Sequence, residues 1–300
     1  MRIGIDLGGT KIEGILLSDD GIVVENIRVD TPANEYSNTV EALSQLVESL
    51  QQNSESKYPV GIGTPGALSS IDETMKNCNS IQLNGKALKR NIEDRLGYGV
   101  RLENDANCFA LSEACYGSGR DALTVFGVII GTGTGGGLVI NKRLHTGPNR
   151  IAGEWGHNSM PSSVRELIDA DRRCYCGRIN CIETVLSGRG LRQSHQESTG
   201  NALQAIEIAR LAEEGSQTAK ESIQLYCQQL ARCLATVVNI IDPDMIVLGG
   251  GLSNIGELYS QVRSLMKESV FTDNMLTQLS APRFGDASGA RGAACLWPLE

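Results

Sequence analysis

Apolar residues recur along this chain in two rhythms. Arg2 to Leu7 is a short apolar run that reads as a buried strand. "GGTK" after it is a tight turn, and "IEGILLS" reads as a second strand. "DDG" at Asp19 to Gly21 is a hairpin turn, and "IVVENIRV" a third strand. The rhythm then lengthens. "EYSNTVEALSQLVESLQQ" places Leu43, Leu46, Val47 and Leu50 at i, i+3, i+4 and i+7, which predicts a helix. "VGIGTPG" and "VRLEND" read as further strands, and "ANCFALSEACYG" as a short helix.

The opening layout then returns. "LTVFGVIIGTGTGGGLVINKRLHTG" is again strand, glycine turn, strand and turn, offset by about 124 residues, which points to two related domains. Downstream, "ESIQLYCQQLARCLATVVNII" carries Ile223, Cys227, Leu230, Leu234, Val237, Val238 and Ile241 on or near one stripe of a long amphipathic helix. "DPDMIVLGGGLSN" follows as turn, apolar strand and glycine loop, and a helix is expected over Ile255 to Ser269. Strands interleaved with helices give an α/β class. Low-complexity linkers are lacking, so the border must be a hinge between packed elements. The expected domains are 1–118 and 119–287, with a C-terminal helix over 288–300 returning to the first.

Three glycine-rich turns follow apolar strands: Gly8-Gly9-Thr10, Gly131 to Gly137, and Gly249-Gly250-Gly251. Glycine lets consecutive backbone amides approach an anion and form a nest for phosphate oxygens. A single such turn is as readily a tight strand exit. Three in one chain point to a nucleotide. No G-x-x-x-x-G-K-[ST] occurs. Gly131-x-Gly133-x-x-Gly136 matches the dinucleotide fingerprint in form, but that pattern needs a helix after the loop. Here Val139 and Ile140 continue as a strand, which excludes it.

Composition narrows the classes. The chain has 300 residues, enough for a substantial core, with 41% hydrophobic and 21% charged residues and a net charge of −8. That balance argues against a nucleic-acid surface, which needs a basic face. No apolar run approaches the roughly 20 residues of a membrane span. Asp6 interrupts the apolar N-terminal stretch, so a signal-peptide core is not expected, and the cytoplasm is. Thiols there stay reduced, so a disulfide framework is not expected. Cys78, Cys108, Cys115, Cys227, Cys233 and Cys295 read mostly as small buried hydrophobes.

"RRCYCGRINC" crowds Cys174, Cys176 and Cys181 into eight residues. Either a tetrahedral zinc takes all three with a fourth ligand, or they are buried reduced thiols. His145, His157 and His195 are the histidines available. Two acids also stand out. Asp6 lies on an otherwise apolar strand, where an unpartnered carboxylate is costly. Asp105 lies where a strand gives way to a helix and reads, by itself, as an N-cap.

"IGIDLGGTK", "GTGTGGG", "EWGH", "CYCGRINCIE" and "VLGGGLSN" resemble, in order and over nearly the whole chain, the motifs of the ROK family of sugar kinases. "KNCNSIQLNG", "VRLENDANC", "AGEWGHN" and "ARGAACLWPLE" most resemble its bacterial fructokinases, also described as manno(fructo)kinases. The resemblance implies two actin-like (ribonuclease H-like) ATPase domains facing a central cleft. It implies ATP-dependent phosphorylation of a hexose, fructose first and mannose with it. An N-acetylglucosamine or glucose kinase of the family shares every motif.

The resemblance also implies roles. Phosphoryl transfer needs alignment, charge neutralisation and a proton acceptor. Asp105 would be that general base. Asp6 would face Mg²⁺ and phosphate, with Gly8, Gly9, Thr10, Gly131, Thr132 and Gly133 around the phosphates and Gly249 and Gly250 at the adenosine. Lys11 is either a phosphate contact or a solvated hairpin charge. Gly66, Asn79, Asn104, Asp105, Glu154, His157 and Glu183 would fix the sugar, whose hydroxyls each need a partner. His157 would complete a structural Zn²⁺ site with the three cysteines, shaping the sugar pocket without touching ATP. Asn180 stands where the family has glycine, and Asn is the next-best residue for a left-handed backbone. The expected partners are a small sugar and ATP, with no nucleic acid and no membrane, and a homodimer is implied. A ROK-type repressor would need a helix-turn-helix ahead of the first strand, which starts at Arg2. A chaperone or filament protein of the actin-like class would have no use for "EWGH", "ENDAN" or the cysteines.

Overall fold

The computed structural model describes residues 1–32, 35–52, 56–285 and 288–298. The first run of elements is β1 (Arg2–Leu7), β2 (Lys11–Leu17), β3 (Val23–Asp30), α1 (Tyr36–Gln51), β4 (Val60–Thr64), β5 (Ala67–Leu68), β6 (Met75–Lys76), α2 (Leu88–Leu96), β7 (Val100–Asn104) and α3 (Asp105–Cys115). β8 (Thr124–Ile130), β9 (Thr134–Ile140) and β10 (Arg143–His145) repeat the opening. Then come α4 (Ser162–Arg165), α5 (Glu183–Leu186), α6 (Gly188–Thr199), α7 (Ala205–Glu213), α8 (Gln217–Ile241), β11 (Met245–Gly249), α9 (Glu257–Met266), β12 (Gln278–Ser280) and α10 (Ser288–Cys295).

The first five-stranded sheet has the order β3-β2-β1-β4-β7. β1 pairs antiparallel with β2 and parallel with β4, and β4 runs parallel to β7. β1 and β4 are buried nearly throughout, so they read as continuous apolar runs. β3, at the edge, is mostly exposed. α1 buries Leu43, Leu46, Val47 and Leu50, the stripe its spacing predicts. The second sheet repeats the plan in the order β10-β9-β8-β11-β12, with β11 parallel to β8 and β12. The repeat legible in the sequence is thus a repeat of sheet topology. α8 buries Ile223, Cys227, Leu230, Leu234, Val237 and Val238, while Ile241 at its end is only half-buried.

The chain divides into two compact units. The first holds Met1–Asp121, Gly137–Ala152 and Phe284–Glu300, the second Ala122–Gly136 and Gly153–Arg283. Residues Gly137–Ala152 fall in the first because β10 packs against α3. α10 falls there because it lies flat on the sheet. A Cβ at Gly4 would come 1.9 Å from Ala290 O, and one at Gly61 1.8 Å from Ala293 O. Only glycine permits that approach. Among the described residues, no helix is long and apolar enough to cross a membrane.

Candidate active site

In the first unit, Gly8 N–H donates to Lys11 O at 3.0 Å and closes the β1–β2 turn. A Cβ at Gly8 would meet Lys11 O at 2.7 Å, so the turn itself demands that glycine. Gly9 is different, since a Cβ there would meet nothing within 4 Å. Thr10 and Lys11 are exposed beside it. At the end of β1, Asp6 has its carboxyl raised to about 7, by burial first and then by Asp105 and Glu13. The first turn of α10 backs onto it, for a Cβ at Gly289 would lie 2.4 Å from Asp6 Oδ2. A carboxylate at the strand end before a glycine turn is a hard oxygen donor of the kind Mg²⁺ takes together with phosphate.

The β7–α3 junction separates two roles that the sequence left merged. Asn104 is the N-cap: its Oδ1 accepts Asn107 N–H at 2.8 Å. Asp105 is the first helical residue, exposed, and its Oδ1 accepts the neighbouring Ala106 N–H at 2.7 Å. Glu103 was not singled out in the sequence. It accepts from Asn104 N and Asn107 Nδ2, both at 3.0 Å, and ties the cap to β7.

Gly66 packs against the segment that carries Asn79. A Cβ there would lie 2.4 Å from Cys78 Sγ and 2.6 Å from Lys76 O. Asn84 clamps Cys78 in both directions, accepting from Cys78 N at 2.9 Å and donating to Cys78 O at 3.1 Å. Asn79 N–H donates to Pro65 O at 3.4 Å. Asn84 is a second residue the motif reading missed. Its signal was "LNG", a turn whose side chain folds back.

In the second unit, the Gly131–Gly133 turn closes with Gly131 N–H donating to Gly133 O at 2.9 Å. A Cβ on Gly131 would meet nothing. Thr132 is exposed. Glu183, buried at the start of α5, accepts Thr134 N–H at 3.0 Å, and Gly188 N–H donates to Gly131 O at 2.7 Å. Trp155 donates from Nε1 to Gly135 O at 2.8 Å, while a Cβ on Gly156 would strike Thr134 O at 2.1 Å. Both "EWGH" and the cysteine-rich segment are therefore built against this turn. Glu183 thus links the end of the cysteine-rich segment to the residue that follows the glycine turn. Glu154 is half-buried beside Trp155. Gly249 ends β11, and Gly250 follows in the left-handed region at φ 81°, where a Cβ would meet Ile130 O at 2.6 Å.

His157, Cys174, Cys176 and Cys181 converge, with all their ligand atoms within 4.8 Å of one another. His157 Nδ1 lies 3.6 Å from Cys174 Sγ, and Cys176 Sγ lies 3.6 Å from Cys181 Sγ. A tetrahedral zinc with bonds of about 2.0–2.3 Å spaces its ligands by about 3.5–3.8 Å, so the cage fits one. His157 Nε2 lies 3.0 Å from Tyr175 OH, which fixes the ring. His145 and His195 lie outside the cluster, and His195 Nδ1 pairs with Ser222 Oγ at 2.8 Å. Asn180 does adopt a left-handed backbone, φ 57°. Its side chain adds what glycine could not: it accepts Arg172 N–H and donates to Asp171 Oδ1, each at 2.8 Å.

The family model that matches, over residues 2–300, is that of the ROK family. An N-acetyl-D-glucosamine kinase of Salmonella typhimurium is 41% identical over 300 residues, 99% of each chain. A ROK hexokinase from Thermus thermophilus superposes with TM-score 0.87 at 27% identity, covering 98% of this chain and 97% of its own. A ROK family glucokinase from Streptomyces griseus, solved with glucose and AMPPNP, gives 0.78 at 27% identity over 98% of both. With the doubled sheet, the glycine turns and the His–Cys cage already in place, these matches make the chain a member of the ROK family, a sugar kinase that phosphorylates a hexose with ATP.

Proposed function

We propose that this enzyme transfers the γ-phosphoryl group of Mg·ATP to D-fructose, giving fructose 6-phosphate, with mannose also accepted and Asp105 as general base. The observation that carries the chemistry is the division of labour at the α3 N-terminus. Asn104 caps the helix, so Asp105 is spared that task. Its carboxylate takes the proton as the sugar hydroxyl oxygen attacks phosphorus, and ADP leaves. Asp6, with Gly8, Gly9, Thr10, Lys11, Gly131, Thr132 and Gly133, serves the phosphates and Mg²⁺. The metal neutralises phosphate charge. Gly249 and Gly250 lie at the adenosine. Gly66, Asn79, Asn104, Glu154, His157 and Glu183 serve the sugar. His157, Cys174, Cys176 and Cys181 hold a structural Zn²⁺. The reading carries with it a cytoplasmic homodimer.

Fructose rests on "KNCNSIQLNG" and "ARGAACLWPLE". The Asn84 clamp and the Gly66–Cys78 contact hold the first in a fixed loop. N-acetyl-D-glucosamine is the second reading, favoured by the 41% identity to the Salmonella kinase. ADP release measured with fructose, mannose, glucose and N-acetylglucosamine decides between them. The highest kcat/KM should be for fructose. A clear preference for N-acetylglucosamine selects the second reading, and no turnover of any hexose removes both.

A further inference from the structure

A cavity of about 600 Å³ opens along β7 within the first unit. Small-molecule sites span about 300–1,000 Å³, so its volume suits a metabolite. Its rim is basic: Lys89, Arg101, Lys142, Arg143 and Arg150 line it, against Glu103 alone. The whole chain carries −8, so this local excess of positive charge is not inherited from composition.

Most of these charges are occupied. Glu73 lies 3.6 Å from Lys89 and 3.5 Å from Arg150. Arg101 donates to Leu296 O and stacks on the Trp297 ring at 4.1 Å. Glu103 holds Asn104 and Asn107. Lys142 and Arg143 remain, exposed and without an ion pair among the described residues. They sit at the β9–β10 turn, where Ile140 pairs with Arg143 across Asn141 and Lys142. Both turn residues are left-handed, φ 50° and 58°. The second place of such a turn favours glycine, and lysine there is strained. The fold thus holds a lysine at an unfavourable backbone position beside a basic cavity. Val100, Leu102, Leu144 and Leu296 also line it and give it apolar wall. Apolar walls lower the local dielectric and strengthen attraction to an anion.

We propose that this cavity binds a small organic phosphate monoester, its phosphoryl oxygens at Lys142 and Arg143 and its carbon body against the leucine wall. Two sources share this chemistry: the hexose phosphate that the enzyme makes, and a monoester made elsewhere. Neither depends on which hexose is the substrate. The test is titration calorimetry on the full chain, with sugar and a non-hydrolysable ATP analogue saturating, so that the catalytic site is filled. The probes are hexose 6-phosphate, phenyl phosphate and inorganic phosphate. At least one monoester should bind more tightly than inorganic phosphate, and more weakly as salt rises. Binding of both monoesters assigns the site to the class, and binding of hexose 6-phosphate alone assigns it to the product. Combining Lys142→Gly with Arg143→Ser should weaken binding by about tenfold or more, since two charge-assisted contacts go. Glycine suits the turn, so the variant should fold and keep its basal kinase rate. The proposal is overturned if neither monoester binds, if inorganic phosphate binds as tightly, or if the double variant binds equally well.

Discussion

Glu183 Oε2 accepts the Thr134 N–H at 3.0 Å, which joins the end of the cysteine-rich segment to the second glycine turn. The same carboxylate packs against the turn, for a Cβ at position 133 would lie 2.8 Å from Oε2. Glu183 is two residues beyond the metal-cage member Cys181. The cage, the acid and the turn are therefore one connected piece of the second unit.

Glu183→Ala should leave Thr134 N–H buried without a partner and loosen the turn. Removing such a bond costs on the order of 1–3 kcal/mol, so KM for ATP should rise about tenfold along with KM for the sugar. Steady-state kinetics with each substrate varied measure it. A rise confined to the sugar would show that the carboxylate serves the sugar alone.

Elemental analysis should find one zinc per chain in protein purified without added metal. Cys176→Ser should lose it. Because Cys181 leads directly to Glu183, the loss should weaken ATP and sugar binding together rather than sugar alone. Full occupancy in the variant would contradict the ligand assignment.

Asp105→Asn should lower kcat by about 10²–10⁴, the usual cost of losing a general base. Its thermal melt should shift little, because Asn104 makes the cap. Asn104→Ala is the complement. It should cost about 1 kcal/mol of stability, as cap removal does. A kcat for Asp105→Asn within a few-fold of wild type would turn attention to Glu154 as the base.

Asp6 adds a pH dependence whose sign is fixed. Its folded carboxyl titrates at about 7, above the ordinary 3.8. The folded state then holds a proton that the unfolded chain releases between those values. Without ligands, stability should be greatest below pH 4 from this group and fall as pH rises to 7. Asp6→Asn removes the buried charge and should stabilise the ligand-free protein at pH 8, by about 4 kcal/mol as a ceiling. It should also abolish measurable turnover. Melts at pH 5 and pH 8 check the stability and an ADP-release assay the turnover, and a variant less stable than wild type at pH 8 would refute the pH argument.

The strand and helix periods, the three glycine turns and the doubled plan were legible in the sequence, because each is encoded within a short stretch. Period-2 and period-3.6 burial needs only neighbouring residues, so β1, α1 and α8 read directly. The motif order carried the family, and the C-x-C-x₄-C spacing allowed a metal cage. His157 needed more than spacing, since it lies 17 residues from Cys174 and only the folded loop brings Nδ1 to the sulfurs. Contacts over long separations were out of reach. Asp6 meets Gly289 because α10 returns across the whole chain, and Thr134 meets Glu183 across 49 residues. The choice between cap and base at Asn104-Asp105 also needed coordinates. Both residues are good caps in sequence, and one hydrogen bond to Asn107 decides which serves. Local periodicity and turn chemistry are short-range and so written in order along the chain. Charge proximity and close glycine contacts belong to residues that only packing brings together.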